Sequence, residues 1–318
     1  MKAVFLDYAS LDQNDLDTSA LSSAFTELQL FASTDASEVL ARVRDADVII
    51  SNKVVIDAAI MQHCAKLKLI LISATGTNNI DLEQARQQGI VVCNCQGYGT
   101  SSVAQHTLAL MLALATSLMQ YDQAVRQGNW NTATQFCLLD FPIVDLSGKT
   151  LGIIGYGELG KAVAKLAQAF GMQVLIAALP HRPSVDASRI ALADLLPQVD
   201  FLTLHCPLTE QTQDLIAEQE LALMKNSAFL INCARGGLVN EQALATALRQ
   251  GMIAGAATDV LTVEPPKNGN VLLSADIPNL IITPHSAWGS RDSRQRMLQQ
   301  LLENVMAFQA GKPIRQVN

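Results

Sequence analysis

The sequence predicts an α/β protein built from two doubly wound parallel-sheet domains. Short apolar runs alternate with helical patterns from the first residues to about position 94, and the same alternation resumes after 146 with six further strand-like runs. Where the second series begins, Leu151 to Ile154 leads through Gly155, Gly157 and Gly160 into a helical segment, Lys161 to Phe170. At 318 residues, 49% of them hydrophobic, the chain is long enough to bury two cores.

In the first series, Ala3 to Leu6, Val48 to Ser51, Leu69 to Ser73 and Val91 to Asn94 read as strands, and Glu38 to Arg44, Ile56 to Cys64 and Leu82 to Gln88 as helices. Such strands carry apolar residues on both faces, as a parallel sheet covered by helices requires. Ligands of these sheets sit beyond the carboxyl ends of the strands. The loop Ala74 to Asn79, small and polar after the third strand, is therefore a candidate anion site offering backbone amides, or else an ordinary Asn/Gly turn.

Gly97 to Thr100 interrupts the pattern, and a helix is expected from Ser101 to about Gln120. Leu108, Leu112 and Ala115 make it apolar nearly all round, so it should be buried, with His106 as a hydrogen-bonded core residue. The irregular stretch Arg126 to Cys137 offers Trp130 and Phe136 either to an interface or to a pocket wall, and packing is the expectation.

The glycine turn comes next. Gly155 lets the chain double back, Gly157 lets a pyrophosphate approach the backbone, and Gly160 lets helix and strand pack closely. The helix beginning at Glu158 and Leu159 then offers amides and a positive dipole end to phosphates. Strand, turn and helix in this order indicate a dinucleotide-binding unit.

Strands follow at Gln173 to Ala177, Phe201 to His205, Ala228 to Cys233, Ile253 to Asp259 and Leu280 to Thr283. Helices are expected at Ser188 to Leu196, Gln213 to Met224 and Glu241 to Gln250, and Leu298, Leu301, Leu302, Val305 and Phe308 mark a last amphipathic one. Arg235, Glu264 and His285 each end or closely follow a strand. Singly each has a bland structural reading, but together beside a nucleotide fold they form a reaction site. Hydride transfer from a nicotinamide to a carbonyl leaves negative charge on oxygen, which calls for a proton donor and a fixed positive charge. His285 is the candidate donor, Glu264 the carboxylate that fixes its tautomer and favours the imidazolium, and Arg235 the planar fork for a substrate carboxylate.

Composition sets limits on partners. A net charge of -7 argues against nucleic acid or an anionic membrane surface. The N-terminus reaches Asp7 after a short apolar run and reads as a strand rather than a signal segment, which points to the cytoplasm. The six cysteines show neither C-x-x-C nor zinc-like spacing, so reduced thiols and no metal are expected.

The motifs ATGTNNIDL, TSSVAQHTLALMLAL, LGIIGYGELG, LHCPLT, INCARGGLVNEQAL, GAATDVLTVEPP and TPHSAW resemble those of the D-isomer-specific 2-hydroxyacid dehydrogenase family along essentially the whole chain. That resemblance implies a Rossmann dinucleotide-binding domain at 99–286, inserted in a flavodoxin-like substrate domain made of 1–98 and 287–318. It implies the catalytic set Arg235, Glu264 and His285, with Thr75 and Gly76 amides for the substrate carboxylate. Thr100, His205, Cys206, Pro207, Cys233 and Ala234 would line the cofactor cleft, and Asp259 would hold the nicotinamide carboxamide. A homodimer is usual in the family. Trp288, Gly128 to Trp130 and Phe136-Cys137 look like the glycerate dehydrogenase or hydroxypyruvate reductase branch, which implies a small 2-ketoacid or 2-hydroxyacid substrate. A D-lactate-type dehydrogenase and a non-catalytic nicotinamide-sensing protein are the rival readings.

One departure concerns the cofactor. NAD enzymes place an acidic residue about 20 positions past the glycines for the ribose 2′-hydroxyl. No Asp or Glu occurs between Leu159 and Val185, Ala178 stands where the family has its usual Asp, and His181 and Arg182 follow. Either NAD or NADP is therefore expected, with NADPH accepted.

Overall fold

The computed structural model describes residues 1–179 and 188–318, which divide into two compact units: Met1–Gly99 with Trp288–Asn318, and Thr100–Ala287. Each joint lies one residue beyond the position expected from the sequence.

The first unit runs β1 (Lys2–Phe5), α1 (Ser19–Ser23), β2 (Glu27–Leu30), α2 (Val39–Val43), β3 (Val48–Ser51), α3 (Ala58–Gln62), β4 (Leu69–Ile72), α4 (Leu82–Gln87) and β5 (Val91–Cys93). All pairs are parallel, in the order β2-β1-β3-β4-β5. The pleat sorts the apolar runs onto two faces. Val4, Leu6, Ile49, Ile70, Ile72 and Val92 join a core with Val39, Val43 and Met61, whereas Ala3, Phe5, Val48, Ile50, Leu69 and Leu71 join one with Met297, Leu298, Leu301 and Val305. The second set of partners belongs to the chain's last helix, so this sheet is covered on one face only when residues from the far end of the sequence return.

The second unit runs α5 (Thr100–Ala115), α6 (Leu118–Arg126), β6 (Thr150–Ile154), α7 (Glu158–Ala169), β7 (Gln173–Ile176), α8 (Leu192–Leu195), β8 (Phe201–Leu204), α9 (Glu218–Leu223), β9 (Phe229–Asn232), α10 (Glu241–Arg249), β10 (Gly255–Thr258) and β11 (Leu280–Ile282). The chain then closes the first unit with α11 (Arg291–Gln309). The six strands are again all parallel, in the order β11-β10-β9-β8-β6-β7. β6 has its successor β7 on one side and β8 on the other, so the strand order reverses there. A crevice opens at such a reversal, beyond the carboxyl ends of the two strands.

Four expectations are corrected. β2 went unread because ELQL is a partly exposed edge strand with no apolar run. The expected helix from Ser101 to Gln120 is two helices bent by 60°, since Ser117 takes a left-handed conformation (φ 50°) and donates its hydroxyl to Pro142 O at 2.7 Å. α8 and α9 are shorter than expected: Ile190 pairs in a bridge with Ala177, which keeps 188–191 out of a helix, and Ile216 bridges Val239. Phe136 does not pack, being 90% exposed.

Candidate active site

At the strand reversal, Gly155 follows β6 directly. A Cβ on it would lie 2.4 Å from Cys206 N and 2.5 Å from His205 C, so the loops after β6 and β8 touch backbone to backbone. A Cβ on Gly160 would lie 2.2 Å from Gly155 O, which explains the glycine inside α7. Gly157 differs, because nothing among the described residues lies within 4 Å of where its Cβ would be. The fold itself does not require a glycine there, and the space it leaves, at the N-terminus of a 12-residue helix without a side-chain cap, suits a phosphate. The residues present therefore fit a dinucleotide.

Around that loop, Thr100 opens α5 and donates its hydroxyl to Glu158 Oε1 at 2.6 Å, while Leu159 is half-buried in the first turn of α7. Cys206, Cys233 and Ala234 are buried, and Pro207 accepts a hydrogen bond from the Thr212 hydroxyl. Burial pushes the Cys206 thiol up to about 11 and the Cys233 thiol up to about 12, which makes both inert. Ala178 lies two residues past β7 and donates its amide to Ile190 O. His181 and Arg182 lie outside the described residues.

Three adjacent strands end in the polar residues singled out from the sequence. Arg235 comes three residues after β9, Glu264 six after β10 and His285 three after β11. His285 Nδ1 lies 2.6 Å from Glu264 Oε2, and Glu264 Oε1 accepts the Leu261 amide at 2.8 Å. An ionised carboxylate only accepts, so the proton between the pair sits on Nδ1 and Nε2 is the nitrogen left to a substrate. Both side chains are about 30% exposed, within reach of a ligand. Arg235 is exposed, and its Nη1 donates to Ala234 O at 2.7 Å. Gly236 sets that loop against Leu261, whose carbonyl carbon would stand 2.0 Å from a Cβ.

His285 itself is left-handed, with φ 52°. A non-glycine residue in this region is strained and persists only where its surroundings over-determine it. Here the surroundings are Asp259. Its carbonyl accepts the His285 amide at 2.7 Å, its Oδ1 accepts the Ser286 amide and the Thr283 hydroxyl, and its Oδ2 accepts the Ala287 amide. Sequence reasoning gave Asp259 only a cofactor contact and missed this clamp. Its position one residue past an apolar strand was the available signal.

In the first unit, Thr75 and Gly76 lie in the loop after β4 as expected. Thr75 donates its hydroxyl to Cys95 O and accepts from Asn94 Nδ2, which anchors the loop to the end of β5. Trp288 meets Tyr98 edge to face at 6.1 Å between ring centroids.

The comparisons agree on one family. The family model for the D-isomer specific 2-hydroxyacid dehydrogenase, NAD binding domain, matches residues 108–287. A glycerate dehydrogenase of Methylorubrum extorquens is 46% identical over 98% of this chain and 97% of its own length. A hydroxypyruvate reductase of Blautia hydrogenotrophica is 37% identical with both chains fully covered. The solved TT0316 protein of Thermus thermophilus superposes with a TM-score of 0.86 at 35% identity, again over the whole of both chains.

His205 gives this region a pH signature. Its Nε2 lies 3.0 Å from Thr203 Oγ1, its Nδ1 is buried with no hydrogen-bond partner among the described residues, and burial holds its pKa down at about 4. The unfolded chain therefore takes up a proton near its ordinary value of about 6.5 while the folded protein does not. The contribution of His205 to stability is complete above that value and is lost progressively as pH falls toward about 4. Denaturant unfolding of the protein between pH 7 and pH 4 should show about one proton more taken up on unfolding than in His205→Asn. Equal slopes for the two proteins would refute this.

Proposed function

The chain belongs to the D-isomer specific 2-hydroxyacid dehydrogenase family, and from that membership we propose a reductase that converts hydroxypyruvate, and glyoxylate beside it, to D-glycerate and glycolate with NAD(P)H. The observation that carries this reading is the His285–Glu264 pair, held at 2.6 Å beyond the same carboxyl end of the parallel sheet as the glycine loop. The glycerate dehydrogenase and the hydroxypyruvate reductase among its relatives support the substrate class.

In this reading Thr100, Gly155 to Gly160, His205 to Pro207 and Cys233-Ala234 hold the dinucleotide, and the Thr75 and Gly76 amides are assigned to the substrate carboxylate. When bound, the reduced nicotinamide supplies a hydride. His285 gives the proton on Nε2 to the carbonyl oxygen as charge develops there, and Glu264 steadies the ring through Nδ1 and stabilises its imidazolium form. Arg235 pairs with the substrate carboxylate and polarises the carbonyl. Asp259 is assigned to the nicotinamide carboxamide and Trp288 to the substrate. With Ala178 in place of an acid, that position carries no carboxylate to repel a 2′-phosphate, so NADPH is accepted.

A cytoplasmic homodimer completes the proposal. The six cysteines are all free thiols, which suits a reducing compartment. Seven of the sixteen exposed large hydrophobic side chains among the described residues fall between 118 and 143, with Phe136 90% and Leu139 76% exposed. Exposed apolar side chains concentrated in one segment point to an interface, and the second copy of the chain is its proposed occupant.

Steady-state kinetics with both reduced cofactors should rank hydroxypyruvate above pyruvate and bulkier ketoacids in kcat/KM, with NADPH within about tenfold of NADH. His285→Gln should lower kcat by about a hundredfold or more and still bind the dinucleotide. A preference for pyruvate would reject the substrate, and unchanged turnover in the variant would reject the proton donor. Light scattering should give a mass twice that of the chain, reduced to one copy in Phe136→Asp/Leu139→Asp. A monomeric parent protein would contradict the dimer.

A further inference from the structure

The clamp on His285 has an outer end that nothing in the reaction so far uses. Thr283 Oγ1 lies 2.5 Å from Asp259 Oδ1 and 2.9 Å from His106 Nε2. A hydroxyl has one proton to give, and a carboxylate that also takes two backbone amides can only accept. The Thr283 proton therefore points at Asp259, and Thr283 Oγ1 receives the proton on His106 Nε2. The chain runs in one direction, from an imidazole of α5 through a hydroxyl just after β11 to a carboxylate just after β10. His106 Nε2 also stands 3.6 Å from Asp259 Oδ1, so its donor end lies over the negative charge.

We propose that His106 is a positioning residue for proton transfer, acting through Thr283 and Asp259 on the turn that holds His285. The reasons are local. Asp259 is 1% exposed, so its orientation is set by its hydrogen bonds alone. Oδ1 takes both the Ser286 amide and the Thr283 hydroxyl, and Oδ2 takes the Ala287 amide, so the Thr283 hydroxyl orients the same oxygen that holds the His285 turn. Without the His106 donor, Thr283 Oγ1 loses the group that holds it in place and polarises its O–H toward Asp259, which weakens one of the three donors to that carboxylate. A strained residue loses its defined conformation when one support is removed, and a general acid displaced by a fraction of an ångström loses rate before it loses binding. On α5 His106 has buried Val103, Leu110 and Met111 as neighbours, while Ser102, one turn earlier, donates its hydroxyl to Ala287 O at 2.7 Å and so ties the helix to the same turn. A core role alone would be met by another apolar side chain.

This proposal rests on His285 as the proton donor, and the two fail separately. The test compares the full-length protein with His106→Phe, His106→Gln, Thr283→Val and the double variant His106→Phe/Thr283→Val, following kcat, KM for hydroxypyruvate, NADH affinity and thermal unfolding. Each of the Phe and Val variants should lower kcat by about tenfold, with KM and NADH affinity within about threefold of the parent. The double variant should be no slower than the slower single one, because both substitutions cut one chain. His106→Gln carries an amide N–H within reach of Thr283 and should recover kcat to within about threefold of the parent. If the Phe substitution prevents folding, His106→Asn, whose amide stops short of Thr283, should be slower than His106→Gln. Multiplicative losses in the double variant, parental kcat in His106→Phe, or no rescue by Gln in a protein of unchanged melting temperature would overturn the proposal. If His285→Gln keeps its turnover the donor assignment fails instead.

Discussion

Taking a carboxylate out of water costs several kcal/mol unless donors replace the lost hydration. Asp259 meets that cost with the Thr283 hydroxyl and the Ser286 and Ala287 amides, all supplied by the segment that leaves β11. Those donors reach one carboxylate only if the chain after β11 bends sharply over the end of β10, and the bend puts His285 in a left-handed conformation. The same loop that starts at Asp259 continues to Glu264, so one buried charge determines where both partners of the His285–Glu264 pair can be. The chemistry proposed for the ring is thus a consequence of where a neighbouring strand ends.

The two units answer the same topological problem in opposite ways. In each, the sheet order reverses at one strand, leaving a crevice where backbone amides converge. In the first unit the reversal lies between β1 and β3, and the Asp7 carboxylate fills it, accepting the amides of Asn52, Lys53 and Val54. In the second unit it lies between β6 and β8, where Gly157 stands with nothing among the described residues within 4 Å of its Cβ position. One crevice is satisfied internally, and the other keeps room for an external anion. That contrast is why the dinucleotide is assigned to the second unit.

Much of this was legible in the residues. The runs at Val48–Ser51, Leu69–Ile72 and Phe201–Leu204 are continuous and apolar because both of their faces are buried, and such runs are hard to misread. Gly155, Arg235 and His285 lie within three residues of strand ends and Glu264 six residues past one, and those placements were readable in the sequence. The misreadings share a cause. Edge strand β2 has no buried face to print a pattern, and the helix break at Ser117 depends on a carbonyl 25 positions later, so no local window contains it. The clamp by Asp259 was hidden for the same reason, since its partners lie 24 to 28 residues away in the sequence.

Proton donation by His285 requires its ring to turn Nδ1–H toward Glu264 and keep Nε2 for the substrate. Nitrogen NMR of the imidazoles in the cofactor-free protein near neutral pH reads this directly. It should show His285 protonated on Nδ1, with a hydrogen-bonded shift that moves in Glu264→Gln. A ring bare on Nδ1 and protonated on Nε2, indifferent to Glu264, would contradict it.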